Sequence, residues 1–145
     1  MLIVLDTNVL ISGQFKKRGN EAAILEYHRK GLFQLAVSEE IFQEYARVLH
    51  YPHIQARLHW TPERIAQFLA DFRKIVVFVQ VDEQESVSPD PHDDKFFHCA
   101  KAANADFLVS GDKRHVLPMV TYGTVRIIKP IAFLNVITSA QQGAA

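Results

Sequence analysis

The sequence lacks a long apolar run, a cysteine framework and any excess of charge. Formal net charge is zero, from 16 Lys and Arg against 16 Asp and Glu. Overall charge therefore gives no general pull toward nucleic acid or membrane, and a polyanionic partner needs a local basic patch. Cys99 is the single cysteine. That excludes an internal disulfide framework and a cysteine-based zinc site, and fits a reducing cytoplasm. No stretch approaches the roughly 18 apolar residues of a membrane span. The apolar run at the start stops at Asp6, too short for a signal peptide. The expectation is a complete, soluble, cytoplasmic protein with no membrane association.

What is present suits one folded domain. The chain has 145 residues, 48% of them hydrophobic, enough for one sizeable core. Residues 1–137 are expected to form the domain and 138–145 a disordered tail. Apolar runs at 2–5, 33–38, 75–81, 106–110 and 124–129 read as strands. Helical segments lie between them. Residues 7–13 start a helix that Gly13 breaks. Asn20 caps a second helix reaching about Lys30. Ser38 caps a third, ended by Pro52, with Ile41, Tyr45 and Val48 on one face. Thr61 caps another, with Pro62 in its first turn. Helices follow over 93–105 and, briefly, 130–137. Strands alternating with helices, and strands apolar throughout, predict a parallel sheet covered on both faces. The helix-rich stretch 38–73 is expected to form a lobe on one edge.

Four carboxylates stand out. Asp6 and Asp112 each follow a buried strand, the end of an open α/β sheet at which ligands bind. Either alone reads equally as a turn former. Glu44 falls on the flank of the Ile41/Tyr45/Val48 stripe, although Glu39, Glu40 and Glu44 also read as a solvated helix face. In "SPDPHDDKFFHCA", a wheel at about 100° per residue puts Asp93 on the side of Phe96 and Ala100 and turns Asp94 toward water. An inward carboxylate is costly unless it is paired or bound to a cation. Acids that converge repel each other, and divalent metal is one remedy. Oxygen ligands suit magnesium or manganese, and such ions serve phosphoryl chemistry.

"LIVLDTNVLIS", "EEIFQEYARVL", "DPHDDKFFHCAKAANADFLVSGDKRH" and "IIKPIAFL" occur in that order, and together they resemble a PIN domain over roughly residues 2–136. The likeness is closest to the toxin components of type II toxin–antitoxin systems related to VapC. The resemblance implies a three-layer α/β/α sandwich with a central parallel sheet and a helical lobe. It implies a ribonuclease dependent on one or two Mg2+ or Mn2+ ions, leaving a 5′-phosphate and a 3′-hydroxyl. The family's four acids fall on Asp6, Glu44, Asp93 and Asp112, as catalytic residues and metal ligands, with Asn8 and Ser110 in support. The implied partners are RNA, a cognate antitoxin protein and a second copy of the chain. Many relatives carry a further Asp shortly after the fourth acid, where this sequence has Arg114 and His115. That departure leaves open a catalytically weak or inactive binding module, and the toxin context leaves open an RNA-processing nuclease outside such systems.

Phosphate contacts need cations. Lys16, Lys17 and Arg18 follow the first motif, and Lys95, Lys113 and Arg114 lie beside the third and fourth acids; each also reads as a solvated charge. Loops 13–20 and 82–92 are expected to carry specificity. The seven histidines share no metal-binding spacing, and His92 and His115 lie nearest the acids. The phenylalanines read as core. A haloacid-dehalogenase-type phosphatase needs an acid where Asn8 stands, and a receiver domain needs clustered acids before its phosphorylated Asp and a late lysine; neither pattern fits.

Overall fold

The computed structural model describes residues 1–82 and 85–143. Six strands form one sheet: β1 (Leu2–Leu5), β2 (Gln34–Val37), β3 (Val77–Phe78), β4 (Phe107–Val109), β5 (Thr121–Tyr122) and β6 (Val125–Ile128). Their order is β3-β2-β1-β4-β6-β5, parallel except for β5. Seven α-helices accompany them among the described residues: α1 (Thr7–Phe15), α2 (Asn20–Arg29), α3 (Glu39–Leu49), α4 (Pro52–Leu58), α5 (Pro62–Ile75), α6 (Asp94–Ala103) and α7 (Pro130–Gly143). The result is the three-layer α/β/α arrangement with a central, mostly parallel sheet.

The central strands are buried on both faces, so they are apolar at successive positions rather than alternately. Ile3, Val4 and Leu5 are all buried, as are Leu35, Ala36 and Val37, and Phe107, Leu108 and Val109. Helix α6 packs across β1, β2 and β4, inserting Phe96, Phe97, Cys99 and Ala100 into the main core. A smaller core of Ile11, Leu49, Leu58 and Ile65 joins α1, α3, α4 and α5. This is the expected helical lobe. The expected caps hold α3 and α5: Ser38 Oγ accepts from the Ile41 N–H at 3.2 Å, and Thr61 Oγ1 from the Arg64 N–H at 3.1 Å.

Several boundaries differ from the sequence reading. Gly13 does not break α1, which runs on to Phe15. It is the point of close approach to α2, where a Cβ would stand 2.4 Å from Leu25 Cδ1. The residue capping α2 is Gly19, and Asn20 is the first helical position. Pro52 both ends the preceding helix and opens α4, since proline is well placed in a first helical turn. Strand β3 is two residues long instead of seven; it is an edge strand paired only with β2. The Arg73 guanidinium lies over the Phe42 and Phe78 rings beside it, 4.3 and 4.7 Å from their centroids. β5 is an added antiparallel edge strand, joined to β6 by a two-residue turn in which Gly123 takes φ +61°. Helix α7 continues through Gly143, so residues 138–143 are helical where a disordered tail is expected. Ala144 and Ala145 of that tail, and Glu83 and Gln84 of the 82–92 loop, lie outside the described residues.

Candidate active site

The chain builds β1, β2 and β3 in one direction across the sheet, then returns to place β4 on the other side of β1. The crevice at such a reversal opens at the strands' C-terminal ends. β1 and β4 are parallel neighbours in register, Leu5 opposite Val109, and the Asp6 N–H continues the ladder to the Val109 carbonyl at 3.0 Å. Asp6 and Asp112 therefore emerge at one edge.

Asp6 is buried and stands at the N-cap of α1, but its carboxylate makes no side-chain cap. It accepts instead from Ser110 Oγ at 2.6 Å. Burial raises its carboxyl above the ordinary 3.8; the Ser110 hydroxyl and Asn8 N–H oppose this, while the charges of Asp112 and Glu44 add to it. Ser110 Oγ also accepts from the Asp112 N–H at 3.0 Å, tying both acids to one hydroxyl. Asn8 contributes its backbone N–H, and its side chain is exposed. Asp112 Oδ1 accepts from the N–H groups of Arg114 and His115, both at 2.9 Å. Burial pulls its carboxyl upward, but those two N–H groups and the adjacent positive charges hold it below the ordinary range.

Glu44 is brought in by Tyr45. The buried Tyr45 hydroxyl donates to the Leu5 carbonyl at 2.6 Å, at the very end of β1. That bond fixes α3 against the strand and leaves Glu44 beside Thr7, whose hydroxyl donates to Glu44 Oε2. Lys95 Nζ lies 2.8 Å from Glu44 Oε1, and Arg47 is 3.6 Å from the same oxygen. Thr7 has no role in the sequence reading, and Lys95, read there as a phosphate-contacting or solvated cation, is instead buried and paired with Glu44. Thr7 carried a signal, a small hydroxyl immediately after the first acid; the pairing of Lys95 across 51 positions carried none.

Asp93 joins the group from the turn before α6. It ends a 3-10 turn, Pro91–Asp93, capped by Asp90 Oδ1 accepting from the His92 N–H at 3.0 Å. Among the described residues, Asp93 Oδ2 is the single buried side-chain polar atom with no hydrogen-bond partner. Burial pushes its carboxyl from 3.8 up to about 6; Asp6, Asp112 and Asp90 push the same way and His115 opposes them. His115 Nδ1 stands 3.9 Å from Asp93 Oδ2 and 3.7 Å from Asp112 Oδ2. Ligand atoms of Asp90, Asp93 and His115 lie within 4.8 Å of one another. Asp6 is thus coupled by charge to Asp112, Glu44 and Asp93, while the tightest group of ligand atoms among the described residues is that of Asp90, Asp93 and His115.

Asp94 corrects the wheel argument. It is buried, not turned to water, and accepts from the Ser88 N–H at 2.7 Å and the Val87 N–H at 3.4 Å. The preceding loop folds back over it, so the face that a bare helix would expose is covered. Lys16, Lys17, Arg18, Lys113 and Arg114 are exposed. Lys113 and Arg114 follow Asp112 directly. Lys16, Lys17 and Arg18 line a groove with Gly19 and Arg29. They lie at the far end of α1, about 14 Å along its axis from Asp6 at 1.5 Å per residue. His28 packs between Phe33 and Phe72, and His98 Nε2 is 2.7 Å from the Glu85 carbonyl, both away from the acids. Cys99 is buried and its thiol is pushed up to about 12, chiefly by that burial, which excludes a nucleophilic role.

A family model described as PIN domain matches residues 2–114, from the first strand through all four acids. The chain belongs to the PIN domain family. No curated protein matches it as a relative. PIN domains are generally nucleases and typically depend on divalent metal, and this chain has the nuclease fold. Among the described residues, no helix of this PIN domain is long and apolar enough to cross a membrane.

Proposed function

We propose that this PIN domain is a Mg2+- or Mn2+-dependent endoribonuclease, the toxin of a toxin–antitoxin pair. One observation carries the metal: Asp93 Oδ2 is buried, faces the acids Asp6 and Asp112, and has no donor. Such an oxygen needs a proton or a cation. The donors are carboxylate oxygens with one imidazole beside them, a set suited to Mg2+ or Mn2+. Asp6, Asp93 and Asp112 would hold the ion, with Glu44 beside them. A bound divalent ion supplies charge for a phosphodiester oxygen and lowers the pKa of a water.

The chain's own groups do the positioning. Ser110 holds Asp6 and the Asp112 backbone in one relation, and the Arg114 and His115 N–H groups keep Asp112 ionised. Lys113 and Arg114 stand where a phosphate beside the acids would need countercharge, and Lys16, Lys17 and Arg18 extend that countercharge along α1. The toxin role and the antitoxin rest on the resemblance of the four ordered motifs, and the cytoplasmic location on the single cysteine, Cys99. A homodimer has one structural support: Ile75, Val77 and Phe78 are exposed together at the β3 edge. A weakly active binding module is the second reading, favoured by the buried Lys95 that already neutralises Glu44.

The test is cleavage of end-labelled, mixed-sequence RNA in Mg2+, Mn2+ or excess EDTA. Asp93→Asn is run beside Glu63→Gln, an exposed acid on α5. The expected result is metal-dependent cleavage lost only in Asp93→Asn. Cleavage that persists in EDTA or in Asp93→Asn would overturn the proposal. Manganese binding without cleavage of any RNA would favour the binding module.

A further inference from the structure

Lys95 reads from the sequence as a candidate phosphate contact, yet it is buried and is the cation built most firmly into the site. Its side chain is 8% exposed and that of Glu44 15%. Buried lysines are rare unless paired. Here the ammonium lies 2.8 Å from Glu44 Oε1 and also donates to the His92 carbonyl, one residue before Asp93. The other Glu44 oxygen accepts from Thr7, one residue after Asp6. Lys95 thus bridges the α3 side of the acidic group to the turn that carries Asp93, and both Glu44 oxygens have protein donors.

Two-metal nucleases place their ions about 3.5–4 Å apart, each needing carboxylate oxygens. A second ion on Glu44 would have to displace the ammonium. That would strand a buried positive charge, which is strongly destabilising. With Glu44 neutralised internally, Asp6, Asp93 and Asp112 remain, and the orphaned oxygen belongs to this set.

We propose that Lys95 is the second cation of this site: its ammonium takes the position on Glu44 that a second metal ion would hold, and the chain binds one divalent ion through Asp6, Asp93 and Asp112. Glu44 is then a positioning residue for Lys95 and not a metal ligand. This rests on the metal-dependent reading above and narrows it.

The test is the number of Mn2+ ions bound per full-length chain after EDTA stripping, counted by calorimetry and by electron paramagnetic resonance of the free ion. Wild type and Lys95→Arg are expected to bind one ion. Lys95→Met, which releases Glu44, is expected to bind two, and Asp93→Asn to bind about tenfold or more weakly. Two ions in wild type would overturn the role of Lys95 and leave the nuclease reading standing; none would overturn both. One ion in Lys95→Met at unchanged affinity would also overturn it. If Lys95→Met does not fold by circular dichroism, the double variant Lys95→Met/Glu44→Gln replaces it. That variant leaves no buried charge unpaired and is expected to bind one ion at near wild-type affinity; a loss of binding would place Glu44 among the ligands and overturn the proposal.

Discussion

Asp112 and Asp93 reach the same acidic edge from different elements and live under opposite conditions. Asp112 follows a strand, receives two backbone N–H groups at 2.9 Å, and is held below the ordinary carboxylate range. Asp93 ends a 3-10 turn, keeps one oxygen buried without a donor, and is raised to about 6. Asp6 sits between these cases, buried but hydrogen-bonded to Ser110. The strand-end acids are finished by the protein itself. The acid on the turn is unfinished until a proton or cation arrives. An ionised anchor and a buried carboxylate oxygen without a donor, both on one acidic edge, suit the uptake of a cation.

The comparison breaks most completely at Asp6, the residue whose charge acts on both Asp93 and Asp112. Asp6→Asn is expected to lower RNA cleavage by more than the roughly 10–100-fold that loss of a supporting partner costs. The initial cleavage rate in saturating Mn2+ measures it; a smaller loss would place Asp6 outside the reacting centre. Ser110→Ala is expected to fall within that 10–100-fold range in Mn2+ affinity. It removes the hydroxyl donor that opposes burial at Asp6 and unties Asp112 from it. Titration calorimetry at pH 7 reads the change, and unaltered affinity would show that the bridge between the two acids is dispensable.

Asp93 sharpens the contrast through stability. Its folded carboxyl lies above its unfolded value, from 3.8 to about 6. The stabilisation this gives the metal-free protein is therefore intact below about pH 4 and lost as pH rises through about 6. At pH 7 the ionised, unpaired Asp93 is a liability, and Asp93→Asn is expected to stabilise the EDTA-stripped protein by about 1–3 kcal/mol while removing that pH slope. Thermal melts between pH 4 and 8 test this. Lower stability of Asp93→Asn at pH 7 would mean that Asp93 already has a partner.

These contrasts follow a division in what the sequence displays. Asp6 and Asp112 were legible because a buried strand reads as an apolar run and its end is marked by the first acid. The helical lobe was legible from the caps Ser38 and Thr61 and from the stripe that includes Tyr45. Glu44 could be seen near the buried face, but its partners could not, because Thr7 and Lys95 come from elements 37 and 51 residues away. Gly13 read as a breaker because the sequence does not show Leu25 of α2 lying against it. The wheel over 93–105 assumed one regular helix. The structure starts α6 at Asp94, after a 3-10 turn, and a loop with no periodicity covers the side assigned to water.

Asp94 gives the smallest expected effect and the cleanest test of that last point. Its carboxylate accepts the Ser88 and Val87 N–H groups, and Ser88 Oγ in turn donates to the His115 carbonyl at 3.3 Å. Asp94 thus fastens the 87–88 segment over α6 and, through Ser88, over the segment that carries His115. Asp94→Ala leaves the two N–H groups without their acceptor and is expected to cost about 1–2 kcal/mol in urea unfolding. Hydrogen exchange at Val87 and Ser88 is expected to accelerate, while the amides of β1 and β4 keep their protection relative to global stability. Mn2+ affinity is expected to fall only a few-fold, since the hydrogen bonds of Asp94 among the described residues run to Val87 and Ser88 and reach the site only through the bonds of Ser88 Oγ to His115 and Asp90. Unchanged stability and exchange would return Asp94 to the solvent-facing role that its helix position suggests. A loss of Mn2+ binding as large as that of Asp6→Asn would instead make Asp94 part of the metal-binding group.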